Sequence, residues 1–365
     1  MTKFCNFLSN QYHFTYDIVK PCCWIKNLPT TSASILNPEG IADQVQRLSN
    51  INDWIPECEY CHNLEKNGAT SPRLNSLKEE IFSDIDEPGA PIKIEVQIDE
   101  DCNGACLMCG PHASTTWEQY ILKTTKDTKP FFKYNIPVGN RFLSVKNTIK
   151  WDSVKQIHFF GGEPMKTDTH VWILKLVTRP ENVNLEYVTN GSILPDAETF
   201  EIWKKFKSVK INVSIDGIDE HFNYLRWPLQ WKTVKSNLLE YANLDPNKFK
   251  IDTSFVATPF NILYQDRYMS WATDFLKDTN LKNNKLFNYP WPVMGVINLS
   301  CVPPSLADEV ALKYGYNSRI YQLIKPFDTK KFKEFMDYIE YHDGHRDNSW
   351  RDTFPEVVHH FKNLG

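Results

Sequence analysis

Three cysteines stand within eight residues in the stretch "DCNGACLMCG": Cys102, Cys106 and Cys109, spaced C-x3-C-x2-C. Thiolates this close together bind soft metals, and tetrahedral zinc or an iron–sulfur cluster normally takes four protein ligands. Three ligands imply either a distant fourth cysteine or a metal left open to another molecule. Five more cysteines lie earlier in the chain, Cys5, Cys22, Cys23, Cys58 and Cys61, and Cys301 stands alone as a small buried hydrophobe. A disulfide framework belongs to small secreted domains, so clustered thiols in a 365-residue chain favour metal binding.

These residues need elements to position them. From residue 92 onward, short β-rich runs alternate with helical patterns. The expected strands are "IKIEVQID" (92–99), "QIHFFG" (156–161), "LEYVTN" (185–190), "KINVSID" (210–216), "KIDTSFVAT" (250–258) and "VMGVINL" (293–299). Amphipathic segments such as "DAETFEIWKKFKSV" and "WKTVKSNLLEYANL" lie between them. Such alternation implies parallel βα units, and periodicity alone leaves an open sheet or a partial barrel equally possible. Functional residues gather at the carboxyl ends of parallel strands. The three-cysteine loop follows the first strand, "GGEP" (161–164) closes the second, "TNG" (189–191) the third and "SIDG" (214–217) the fourth. Residues 1–90 have little periodicity, with "DEPGAP" (86–91) as a linker into the α/β part, 91–300. Residues 301–365 read as a helical extension.

Bulk properties exclude other classes. A net charge of -4 gives no basic field for nucleic acid, and the lysine runs "KTTKDTKPFFK" and "KKFKSVK" read as solvated helix faces. No run approaches the ~20 apolar residues of a membrane span. The N-terminus "MTKFCNFLSNQYHF" lacks the apolar core of a secretory signal, so a cytoplasmic location is expected.

C-x3-C-x2-C after a first strand and GGEP after a second resemble the radical S-adenosylmethionine (SAM) superfamily over roughly residues 92–300. The resemblance implies a partial (β/α)6 TIM-like barrel. It implies that Cys102, Cys106 and Cys109 hold three irons of a 4Fe-4S cluster whose fourth iron binds SAM. Reductive cleavage of SAM then gives a 5′-deoxyadenosyl radical that abstracts hydrogen from a substrate; the radical chemistry is the cofactors' own. Gly161 and Gly162 would let backbone approach the methionine end of SAM. Glu163 would accept from its amino group, with Asn190 and Ser214 near ribose and carboxylate. Arg226, in "SIDGIDEHFNYLR", matches an arginine that reaches SAM in peptide-modifying members. Met108 replaces a residue commonly aromatic in the family, its backbone still near adenine. Tyr187, Asp216 and Tyr224 are expected to support packing, and no proton donor is assigned.

"CNFLSNQYHFTYDIVKPCCW" and "PECEYCHNLEKNGATSPR" resemble the twitch unit, the short form of the SPASM domain, although that unit usually follows the core and Asp17 stands where it carries glycine. The resemblance implies a second 4Fe-4S cluster on Cys5, Cys22, Cys58 and Cys61, with Cys23 in reserve. The same four thiols suit a structural zinc. The implied function is modification of a peptide or protein residue by crosslinking, epimerisation or oxidation, fed by a reducing partner such as flavodoxin or ferredoxin. The alternatives are a small-molecule radical SAM enzyme and a non-catalytic iron–sulfur scaffold.

Overall fold

The computed structural model describes residues 5–14, 19–25, 54, 58–83, 90–97, 100–124, 149–279, 291–293 and 295–362. Asp17 and most of the linker 86–91 lie outside them. The first seven strands are β1 (Gln11–Phe14), β2 (Val19–Lys20), β3 (Lys93–Val96), β4 (Gln156–Phe159), β5 (Asn184–Thr189), β6 (Ser208–Ser214) and β7 (Phe249–Ser254). They form one sheet in the order β2-β1-β3-β4-β5-β6-β7. Six of them run parallel, giving the α/β fold expected and consistent with a partial barrel; β2 pairs antiparallel with β1.

The sixth parallel strand is not the one read from the sequence. Among the described residues, 295–298 form a turn and Leu299–Cys301 a 3-10 helix, so "VMGVINL" makes no strand. Gly295 takes a φ of 86°, a left-handed conformation that breaks an extended run. The place is filled from the N-terminus, where Gln11–Phe14 pairs in parallel with β3. The first residues thus contribute a strand as well as cysteines. All four β1 residues are buried, two of them polar. Register sets His13 opposite Glu95, and His13 Nδ1 lies 3.0 Å from Glu95 Oε2. Gln11 Nε2 donates to Glu95 Oε2 and to Pro21 O, both at 3.3 Å. Glu95 thereby pairs the His13 ring and the Gln11 amide N–H, while Gln11 Oε1 makes no hydrogen bond among the described residues.

The chain divides into two compact units, 1–100 with 136–187 and 196–209, and 101–135 with 188–195 and 210–365. In the first, Phe159 and Tyr187 face each other in register and stack at 4.9 Å. Trp203 Nε1 donates to the Tyr187 hydroxyl (3.1 Å), which also meets His170. Tyr187 is core, as expected. In the second, Phe260 packs against Phe335, Trp350, Phe354 and Phe361, joining a loop after β7 to the helices Thr329–Arg346, Trp350–Thr353 and Pro355–Lys362. Among the described residues no helix is long and apolar enough to cross a membrane.

Candidate metal centre

The three-cysteine loop lies in the second unit, between Asp101 and the helix Thr115–Thr124. A loop this short exposes carbonyls and amides that must find partners once buried. Side chains supply most of them. Thr116 Oγ1 donates to Cys102 O (2.6 Å), Ser114 Oγ to Gly104 O (2.5 Å) and Trp117 Nε1 to Cys106 O (2.9 Å). Two donors come from the helix Thr329–Arg346: Tyr338 Oη to Leu107 O and Arg346 Nη2 to Ala105 O, each at 3.0 Å. Backbone amides of Ala105 and Leu107 donate to Trp227 O and Leu225 O. The loop is therefore fixed by its own segment, by the residues flanking Arg226 and by the C-terminal helix.

The thiols sit in a dry, cationic setting. Cys102 and Cys106 are buried and Cys109 is partly so. Burial pushes the Cys106 thiol up to about 12, against the pull of Arg226, and raises Cys109 as well. Protonated thiols do not ligate, so metal binding here releases protons. Three N–H groups face the sulfurs: Gly104 N at 3.4 Å and Asn190 Nδ2 at 3.9 Å from Cys102, and Arg226 Nη1 at 3.9 Å from Cys106. Such donors stabilise thiolate and tune cluster potential.

Spacing separates one ion from several. A tetrahedral zinc with 2.3 Å bonds would set its sulfurs roughly 3.8 Å apart. Among the described residues, no three cysteine sulfurs lie within 4.8 Å of one another. Three soft donors on one buried loop are a ligand set that a multi-iron cluster accepts, and the residues fit that group.

Arg226 is committed inside the protein. Its Nη2 lies 2.7 Å from Asp216 Oδ2, with Asp216 fully buried. Apart from this contact, Asp216 Oδ2 and Arg226 Nε have no hydrogen-bond partner among the described residues. At 2.7 Å between opposite charges the pair stands as an ion pair. Asp216 makes its directed bond through Oδ1, which accepts from Val256 N at 2.8 Å. Burial raises the Asp216 carboxyl, with the Arg226 charge holding it down. Asp216, read as fold support from the sequence, is thus the counter-ion of an arginine that faces Cys106.

Asn190 likewise faces the loop. Its Nδ2 donates to Asn103 Oδ1 (2.9 Å), while its Oδ1 accepts from the Ser192 amide and hydroxyl. Ser192 Oγ accepts from Asn103 Nδ2 at 2.8 Å. Gly191 between them has a φ of 73°, and a β-carbon there would lie 2.6 Å from Val213 Cγ1, so the turn requires glycine. Ser214 Oγ lies 3.5 Å from Ser254 Oγ and is half-buried. Met108 is half-buried beside the third cysteine. Tyr224 is buried and donates to Asp343 Oδ1 at 2.7 Å. Arg346, missed from sequence, lies 4.7–4.8 Å over the rings of Trp117, Tyr120 and Trp227. Its nearest loop contact is 241 residues away, which leaves no local signal.

The GGEP turn belongs to the first unit. Gly161 takes a φ of 109°, a conformation open chiefly to glycine. Glu163 is fully buried, and its Oε1 accepts from Met165 N at 3.1 Å, capping the 3-10 turn Pro164–Lys166. The same unit holds the N-terminal cysteines. Cys5, Cys22 and Cys58 share one apolar cluster with Phe7, Ile25 and Phe82. Cys61 lies on the helix Glu59–Lys66, and Arg73 is close enough to both Cys5 and Cys61 to feel their charge. Trp24 stacks on Tyr60 at 4.4 Å, drawing the Cys22 turn to that helix. Cys22 is buried and Cys23 exposed. A hydrogen bond to Cys23 and burial hold the Cys22 thiol well above its ordinary value, and burial raises Cys61.

A parallel α/β sheet carries, after its third strand, a loop of three soft donors. Residues 96–243 match the family model described as the radical SAM superfamily. No curated protein matches the chain. Solved structures of native anSMEcpe with bound AdoMet share 15% identity over 71% of this chain and 62% of that one, at a TM-score of 0.39. Streptococcus suis SuiB bound to S-adenosylmethionine shares 14% over 87% and 62%, at 0.37. SuiB bound to precursor peptide SuiA shares 12% over 82% and 64%, at 0.38. The chain spans about three-fifths of the length of these structures.

Proposed function

We propose that the protein cleaves SAM reductively and uses the resulting radical to abstract hydrogen from a peptide or protein residue. The observation that carries the reading is the three-cysteine loop: carbonyls tied by five side-chain donors, and Arg226 beside Cys106. A 4Fe-4S cluster with bound SAM would supply the electron and the radical. The chain's own residues hold and shield it. Cys102, Cys106 and Cys109 ligate; Asn190 and Gly104 donate toward sulfur; Arg226 offsets the negative charge of the thiolates. Toward SAM, the proposed contacts are Gly161, Gly162, Glu163, Asn190, Ser214, Arg226 and the backbone of Met108. Positive φ at Gly161 and full burial of the Glu163 carboxylate support the first of these.

Residues 1–90 are proposed to carry an auxiliary 4Fe-4S cluster on Cys5, Cys22, Cys58 and Cys61, with 91–300 the core and 301–365 a helical extension. Three of those thiols share one packed group, and no three approach within the reach of a single zinc. The twitch-like cysteine pattern supports a peptide substrate, and a flavodoxin- or ferredoxin-type donor would supply the electron. Thiols without a disulfide suit a cytoplasmic setting.

SAM affinity of the anaerobically reconstituted protein tests the pocket. Glu163→Gln should weaken it roughly 10- to 100-fold, as loss of a charged partner does, with iron content unchanged. Parental affinity in that variant would overturn the assignment of Glu163.

A further inference from the structure

Far from the cysteines in sequence, in the second unit, the helices Pro304–Tyr314 and Pro355–Lys362 bring three ligand-type side chains together. Glu309 Oε2 lies 2.7 Å from His360 Nε2 and 4.0 Å from His359 Nε2. One ligand atom from each of the three falls within 4.8 Å of the others, which no other trio of cysteine, histidine and acidic residues achieves among the described residues. We propose that Glu309, His359 and His360 form a zinc site that clips these two helices together.

The donor set selects the ion. Two imidazoles and one carboxylate are borderline-soft N/O ligands, a set zinc accepts in three-ligand sites that leave one position to water. Bonds of about 2.0–2.2 Å in tetrahedral array place donors roughly 3.4 Å apart, between the two distances found here. Binding therefore needs small adjustments: Glu309 and His360 part slightly, and His359 moves in. His359 is free to do so, its side chain being 67% exposed. The two rings, 3.8 Å apart at their centroids, must open by about 1 Å for both nitrogens to meet one ion.

The surroundings hold one ligand still. His360 is buried, and its Nδ1 lies 2.9 Å from Ser305 Oγ, one turn before Glu309 on the same helix. With Ser305 Oγ accepting from Nδ1–H, the Nε2 lone pair points at the ion; this outer partner is what metal-binding histidines usually have. Without metal, Nε2–H donates to Glu309 instead, and zinc takes the place of that proton. A plain Glu–His helix contact explains Glu309, His360 and Ser305. It does not require a second imidazole on the same carboxylate.

The site has a consequence for metal analysis. One zinc found beside the irons would be expected from these three residues, with no bearing on the N-terminal cysteines. The experiment is titration of the full-length reconstituted protein with zinc chloride, by calorimetry and by elemental analysis after desalting. One zinc per chain should bind. His359→Ala, exposed and therefore safe for folding, and Glu309→Gln, which keeps a hydrogen bond to His360, should each weaken zinc binding at least 10-fold, and Ser305→Ala about 10-fold or more. Zinc should also raise the unfolding temperature of the parent and not that of His359→Ala. No zinc uptake by the parent, or uptake with parental affinity in both His359→Ala and Glu309→Gln, would overturn the site.

Discussion

The Asp216–Arg226 pair makes a demanding prediction because both charges are buried next to Cys106. Asp216→Asn is the cleanest perturbation. It keeps an oxygen for the Val256 N–H (2.8 Å in the parent) and removes only the charge 2.7 Å from Arg226. Arg226 is then a buried guanidinium without a counter-ion, and breaking a buried pair in this way costs about 3–5 kcal/mol. A unit of this size loses about 2–4 °C of unfolding temperature per kcal/mol, so the fall should be roughly 6–20 °C. Thermal unfolding followed by circular dichroism on the reconstituted protein reads it. Asp216→Asn/Arg226→Gln removes both charges and should recover at least half of the loss, since neither charge is left buried alone. A fall under about 2 °C in the single variant, or a double variant no better than the sum of the two singles, would refute the pairing as an energetic element.

The remaining predictions concern the loop and its supports. Arg346→Met should cost about 2 kcal/mol or more, from a desolvated cation over three rings and a lost bond to Ala105 O, and should lower the potential of a cluster held by the loop; Arg346→Lys should restore the potential more than the stability, as read by spectroelectrochemical titration. His342 accepts from Tyr120 Oη and is held neutral by burial, with Arg346 adding to the effect, its value falling to about 2. Its folded value lies below the unfolded 6.5, so its contribution is full above pH ~6.5 and fades as pH falls toward 2, about 2–3 kcal/mol being gone by pH ~4.5. His342→Gln should flatten the stability–pH curve by about one proton over that window. Gly191→Ala, forced into a φ of 73° and against Val213, should cost about 2–4 kcal/mol, measured by denaturant unfolding.

Much of this arrangement could be read from local sequence. β3 to β7 fall within four residues of the runs read as strands, and β5 and β6 alternate buried and half-buried positions as a period of two requires. Glycine-bearing turns at 161 and 191 were legible because only glycine takes those conformations cheaply. β1 escaped because "QYHF" is buried at all four positions, so it shows no alternation, and its polar side chains pair with Glu95, 82–84 residues away. "VMGVINL" misled because an apolar run signals burial, not extension, and Gly295 turns it. Arg346 and Tyr338 act through partners more than 200 residues away in sequence, which residue types alone do not reveal.

The central claim is that Cys102, Cys106 and Cys109 carry the cluster that breaks SAM. The direct measurement is chromatographic detection of 5′-deoxyadenosine after anaerobic reconstitution and reduction with dithionite, alongside iron content. The parent should form 5′-deoxyadenosine, and the variant with all three cysteines replaced by Ala should form none while losing about four irons. Product formation by the triple variant, or none from a parent loaded with iron and SAM, would contradict the account.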